Sequence, residues 1–372
     1  MNSLRSFWRR HKKKVFVSLG IAGSGYFLYK LYNAHKRRLA ELEFELAVQR
    51  ENDESIKAQM QEHFQTIQKI ADTTTLPRAM NFLSIRINEE LNLSMLTERL
   101  KQGKDVLTRP EKLELWDKLK VLSFTKLVSS LWSVTMLSLF VKIQVNILGR
   151  HLYIDIARCQ ENSPLPEEAS LMDQDDEQNF LARADFLASH GLPALVFNMQ
   201  VAAAEVLKSK QLSDVFDSSI LHETIVQILD TFMSMGRPCH WNEFLMPADA
   251  KLPSLTPSLS SNDLILSDVP KFDQLMTETY TVLSSDEFTN VVDVSLKTVV
   301  SATVEGIFVD QSGAGAGTPS SGVALVKLMP RVAQMSQLLV DEPTTNQFVQ
   351  TIKNIQDVEL FFTILYANAL TV

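Results

Sequence analysis

Three short stretches carry residue types that could do chemistry. His222-Glu223-Thr224-Ile225-Val226 opens like a zinc-protease helix, in which two histidines four apart hold the metal and the glutamate acts as base. The second ligand should stand at position 226, and valine stands there, so His222 reads as a helix-surface residue. Cys239-His240 has no second ligand pair nearby and reads as a buried thiol beside a neutral imidazole. Gly313–Gly317, GAGAG, invites a dinucleotide reading. The third glycine of that fingerprint is missing, since Thr318 occupies its place, and the run reads as a flexible surface loop. No Gly-x-Ser-x-Gly, Walker loop or placed carboxylate pair completes a catalytic set. The sequence therefore predicts neither an enzyme nor a metal or cofactor site, and leaves a binding module.

The elements that would carry such a module begin with a charged, apolar opening. Residues 1–38 contain Arg5, Arg9, Arg10, Lys12, Lys13, Lys14, Lys30, Lys36, Arg37 and Arg38, and no acid. Ten of the 36 basic residues fall there, so the remaining 26 face all 44 acidic ones and the body carries a net charge of −18. An acidic body excludes nucleic acid as its ligand, because phosphate binding needs a basic face. Between Lys14 and Lys36 lie 21 residues with one firm charge, Lys30. At ~1.5 Å per residue they make a helix about 30 Å long, one hydrocarbon thickness. Tyr26, Tyr29 and Tyr32 cluster at one end of it, as an interfacial belt would. A cleaved signal peptide and a nucleic-acid tag are the rivals. The apolar run resumes after GIAGSG and ends in Lys36-Arg37-Arg38, a stop-transfer pattern, which favours a retained anchor. Arg9, Arg10, Lys12, Lys13 and Lys14 are the expected targeting residues. The charge count mildly favours a cytosolic N-terminus, whereas two cysteines, Cys159 and Cys239, suit a body in reducing cytosol. Sequence physics leaves the side open.

The division expected is therefore residues 1–38 as arm and anchor and 39–372 as an all-α docking domain, an elongated bundle around a long hydrophobic helix. Residues 39–71 read as a helix leaving the membrane, and Asp72–Pro77, DTTTLP, as a break. Arg78 to Gln102 reads as one helix, ended by Gly103. The most apolar stretch follows, with 15 uncharged residues from Leu127 to Val141. That is short for a span and diluted by serines, so it reads as the central core helix. Cys159–Gln178 reads as an acidic loop. Helices are expected over 179–208 (broken at Gly191-Leu192-Pro193), 212–235, 270–283, 286–308, 323–339 and 344–368. Linkers are expected at Met246–Asp263 and Asp310–Gly322.

Trp116 is the most informative single residue. On a helix over 111–126, Leu115, Leu119 and Leu122 stack as the core stripe and Trp116 lies ~100° round from Leu115. Its neighbours one turn away are Lys112 and Lys120. A large aromatic bracketed by two ammonium groups suits a groove that takes an amphipathic helix bearing acids. A half-buried structural tryptophan is the alternative.

KLELWDKLKVLSFTKL followed by VKIQVNILGRHLYIDIA resembles the signature of the peroxin three family, membrane proteins of peroxisome biogenesis. FWRRHKKKVFV, LTERLK, CHWNEFLMP and the final DVELFFTILYANAL are similar to it too, and the GAGAG loop points to a plant branch. The resemblance implies a single-pass peroxisomal membrane protein with its N-terminus inside the organelle and its body in the cytosol. It implies a partner as well: peroxin nineteen, the soluble, farnesylated carrier of membrane proteins, whose N-terminal helix enters a hydrophobic groove. Carried over by motif, the groove residues are Thr97, Leu100, Lys101, Trp116 and Leu119. Lys112 and Lys120 join them from the pattern reading. Peroxisomal membrane lipids complete the expected partners. An organelle tether, or a signal-anchored enzyme facing a lumen, are the competing functions.

Overall fold

The computed structural model describes residues 61–103, 107–161, 174–236, 239–247, 270–309, 322–341 and 346–367, with 55, 58 and 59. The arm and anchor, the GAGAG loop and most of the linker after Met246 lie outside the described residues. The chain divides into two units, Met1–His63 and Phe64–Val372, and the helical body is the second.

Its axis is one helix, α4 (Arg109–Glu161), 53 residues long. From Leu127 to Ile147 every residue is buried. That makes Leu127–Val141 a core helix, as the run of uncharged residues predicts. The serines that dilute it are also inside: Thr135 and Ser138 donate their hydroxyls to the carbonyls of Leu131 and Val134, one turn back. Back-bonding of this kind lets a hydroxyl enter an apolar core without a partner from elsewhere. Trp132 anchors the middle, edge-on to Phe232 and Phe244 at 5.6 and 6.1 Å between ring centroids. Each such side chain contributes about 1.5–3 kcal/mol on full burial.

The other helices wrap this axis. They are α1 (61–70), α2 (Leu76–Glu90), α3 (Ser94–Gln102), α5 (Gln174–Ala182), α6 (Leu192–Leu207), α7 (Ser218–Met233), α8 (Asn242–Leu245), α9 (Lys271–Leu283), α10 (Asp286–Val309), α11 (Leu325–Leu339), α12 (Gln347–Lys353) and α13 (Gln356–Ala367). A two-residue antiparallel pair, β1 (Val215–Phe216) with β2 (Val323–Ala324), ties the start of α7 to the start of α11. The class is all-α.

Several local expectations change. Asp72–Pro77 is no break. The chain passes through a π-turn, Ala71–Thr75, straight into α2, whose Pro77 stands in the first turn where a missing N–H costs nothing. The single helix expected from Arg78 to Gln102 is two. Leu91 closes α2, and Asn92 accepts the Ser94 N–H at 2.9 Å to start α3. At Gly191-Leu192-Pro193 the α-helical pattern does change, but without a loop: a 3₁₀ turn at Arg183–Asp185 and a π-turn at Leu187–Gly191 run straight into α6 at Leu192. Residues 212–217 hold β1 rather than helix, and α7 starts where Asp217 caps Ile220 N–H at 2.8 Å. The last helix is likewise split at Asn354. Short polar side chains won at several of these points because they offer the backbone a local bond that a periodic pattern does not reveal.

The ends of this unit are clasped together. Asp72 pairs with Lys353 at 2.9 Å, and Phe64 packs on Tyr366 at 5.3 Å, so the stretch from Phe64 to Asp72 touches both α12 and α13. Burial pushes the Tyr366 phenol up to about 12.

Candidate partner-docking site

The site is built where α3 ends and α4 begins. Gly103 caps α3, its N–H bonded to Arg99 O at 2.9 Å. A Cβ there would stand 2.2 Å from a Leu107 methyl and 2.9 Å from Arg99 O, so a larger residue would displace the Leu107 side chain. Thr108 then starts α4. Its N–H and hydroxyl both donate to Glu111, at 2.8 and 2.7 Å, in a Thr-x-x-Glu helix start. Those bonds hold the Glu111 carboxyl below the usual carboxylate range. Pro110 sits harmlessly in the same first turn.

Because α3 packs on α4, the expected residues stand on two touching helices. On α3, Thr97 is half-buried, its hydroxyl bonded back to Leu93 O and Ser94 O; Leu100 is half-buried and Lys101 exposed. On α4, Lys112 and Trp116 are half-buried and Leu119 is buried. Trp116 is thus neither sealed in the core nor displayed whole.

Lys120 departs from expectation. It is only 5% exposed, donates to Lys210 O at 2.7 Å and pairs with Asp117 at 3.2 Å. Its ammonium closes the gap between α4 and the loop after α6, and is committed to its own chain rather than to a visiting acid. The helical wheel puts Lys120 one turn from Trp116 but carries no trace of that loop.

Between the first turns of α4 and the end of α6 opens a cleft of about 640 Å³. Leu113, Asp117, Lys120 and Val121 of α4 form one wall; Ala204, Leu207 and Lys208 of α6 and the loop Lys210–Ser213 form the other; Trp116 lies on the same turns of α4 but outside this lining. Leu113 is 58% exposed. Sequence reasoning missed it, although a leucine three residues before Trp116 and off the core stripe was the available signal. The arrangement is a cleft of mixed lining, with Leu113, Val121, Ala204, Leu207 and Leu212 as its apolar part and three lysines and Asp117 as its charged part, which suits an amphipathic helix. Among the described residues no cluster of metal-ligating side chains occurs.

Residues 102–368 match the family model Peroxin-3. The chain belongs to the Peroxin-3 family. Relatives of this Peroxin-3 chain include Peroxisome biogenesis protein 3-2 of Arabidopsis thaliana, 54% identical over 99% of both chains. Its companion Peroxisome biogenesis protein 3-1 is 51% identical over the same share. Peroxisomal biogenesis factor 3 of Homo sapiens is 26% identical over 98% of this chain and 97% of its own. The plant-type assignment of the Peroxin-3 signature in α4 follows from these identities. The Peroxin-3 match takes in Trp116, Leu119 and the cleft, and begins after Thr97, Leu100 and Lys101.

Proposed function

We propose that this chain serves peroxisome biogenesis by docking the soluble carrier of peroxisomal membrane proteins, peroxin nineteen, at the α3–α4 apex. The broader part rests on membership of a non-enzymatic family whose relatives are named peroxisome biogenesis factors, which makes this a peroxisomal membrane protein. The finer part rests on one observation: Trp116 is left half-buried on the first turns of α4, the same turns whose Leu113, Asp117 and Lys120 line a cleft, on a helix that is wholly buried three turns further on. A helix of the carrier lays its apolar face on Trp116, Leu100 and Leu113, and its acids meet Lys101 and Lys112. Residues 1–38 hold the body at the organelle surface with its N-terminus inside and residues 39–372 in the cytosol. Anchoring keeps the carrier and its cargo at high local concentration beside the bilayer.

Titration of the carrier against the full chain and its Trp116→Ala variant tests the docking. Loss of binding with an unchanged helical signal supports it; affinity within twofold of the natural chain ends it. Carbonate extraction tests the division: a fragment lacking 1–38 is expected in the soluble fraction, and pelleting would refute a single anchor. Protease treatment of intact peroxisomes should spare a tag at the N-terminus, and its removal would reverse the orientation.

A further inference from the structure

The α6 helix is apolar nearly all round. Leu192, Leu195, Val196, Met199, Ala202, Ala203 and Leu207 form its buried face. Its outward face should then be polar, as it is on the neighbouring α7, where Glu223, Gln227 and Asp230 face solvent. Gln200 and Glu205 supply that polarity only at its two edges; the middle of the outward face reads Phe197, Val201, Ala204, Lys208 at spacings of four, three and four, which puts all four within a narrow arc. Phe197 is 66% exposed and Val201 46%. Ala204 and Lys208, the far end of the row, are walls of the cleft between α6 and the first turns of α4. The row is therefore a continuation of that cleft, about 16 Å long at ~1.5 Å per residue.

We infer that α6 is a second docking track for the same carrier: an amphipathic helix of about three turns lies along Phe197, Val201 and Ala204, with acidic side chains at the end that meets Lys208. This rests on the docking reading above. Two features identify the occupant. The row opens into the proposed docking cleft with no polar residue interrupting it before Lys208. And the cleft end is basic, its lining holding Lys120, Lys208 and Lys210 against one acid, Asp117, on a body whose net charge is −18, so charge selects an acidic segment rather than a second copy of this acidic chain. A contact longer than the Trp116 slot also explains why an exposed phenylalanine stands two turns beyond the cleft wall at Ala204.

The test uses the full chain in lipid nanodiscs and full-length carrier, with affinity read by biolayer interferometry. Phe197→Glu with Val201→Glu should weaken binding about tenfold or more, since a buried anchor becomes an unpaired charge. Lys208→Glu should weaken it about threefold at low salt and less at high salt. Glu223→Lys on α7 should leave affinity within about twofold. All sites are exposed, so melting curves should coincide with that of the natural chain. If the α6 pair stays within twofold while Trp116→Ala abolishes binding, the track is wrong and the docking reading stands. If the α6 pair weakens binding and Trp116→Ala does not, the track stands and the apex reading falls. A dimer in nanodisc-free detergent that Phe197→Glu dissolves would assign the row to self-association and overturn the inference.

Discussion

Two stretches of α4 have opposite fates. Residues 127–147 are buried on every side, so leucine, serine and tryptophan alike are walled in by neighbouring helices. Residues 109–122 keep only Leu119 and Lys120 buried, and leave Leu113 and Trp116 part-open to solvent. The difference lies in the neighbours: α6 and α11 pack extensively on α4, whereas its first turns meet short α3 and the loop after α6. Burial all round makes a helix structural. Burial on one side makes it a surface with something left to cover.

Substitutions separate the two regimes. Leu137→Asp should have the largest effect, since an unpaired carboxylate replaces a side chain 1% exposed; loss of more than about 4 kcal/mol is expected, seen as a lost cooperative transition in thermal circular dichroism. A folded variant would show that the axis is not packed on all sides. Trp116→Ala should do the reverse, abolishing carrier binding with a melting temperature within a few degrees of natural.

Lys142 sharpens the comparison from inside the buried stretch. It is 8% exposed and stands over the Phe362 ring at 5.4 Å. Burial lowers its pKa, with Asp72 partly opposing that shift. A lysine whose folded pKa lies below its unfolded 10.5 binds fewer protons folded than unfolded in between, so its cost is fully present below the folded value and fades as pH rises towards 10.5. Lys142→Met should therefore raise the melting temperature by about 2–4 °C at pH 7, with the gap between the two proteins closing in alkaline buffer. A variant that melts lower would make the charge a net stabiliser.

The smallest effect belongs to the helix start. Thr108→Ala removes the hydroxyl bond to Glu111 and loosens the backbone one, and should lower the melting temperature by about 2 °C or less. Because the Glu111 pKa is depressed below 4.5 in the fold, this contribution is present above that value and disappears as pH falls through the folded one. An undiminished difference in acid would contradict the assignment.

Much of this was legible in the residues. Fifteen uncharged positions, too few for a span, pointed to the core axis, and the wheel position of Trp116, at the edge of the apolar stripe, agrees with a residue left half-buried. What escaped depends on contacts between segments far apart in sequence. Lys120 was lost to the carbonyl of Lys210, ninety residues away. Leu113 is exposed because α6 and the loop after it face it across a cleft rather than packing on it. The two π-turns and the split at Leu91–Leu93 were hidden because Thr, Asn and Pro clusters signal a turn without saying whether the helix resumes at once.

The clasp between the first and last helices of the body has a consequence for synthesis. Asp72 and Phe64 wait for Lys353 and Tyr366, which leave the ribosome last. Until then α4 lacks its last neighbours, α11 to α13, and its greasy sides stay open, so the body is finished only when the C-terminal helices close on it.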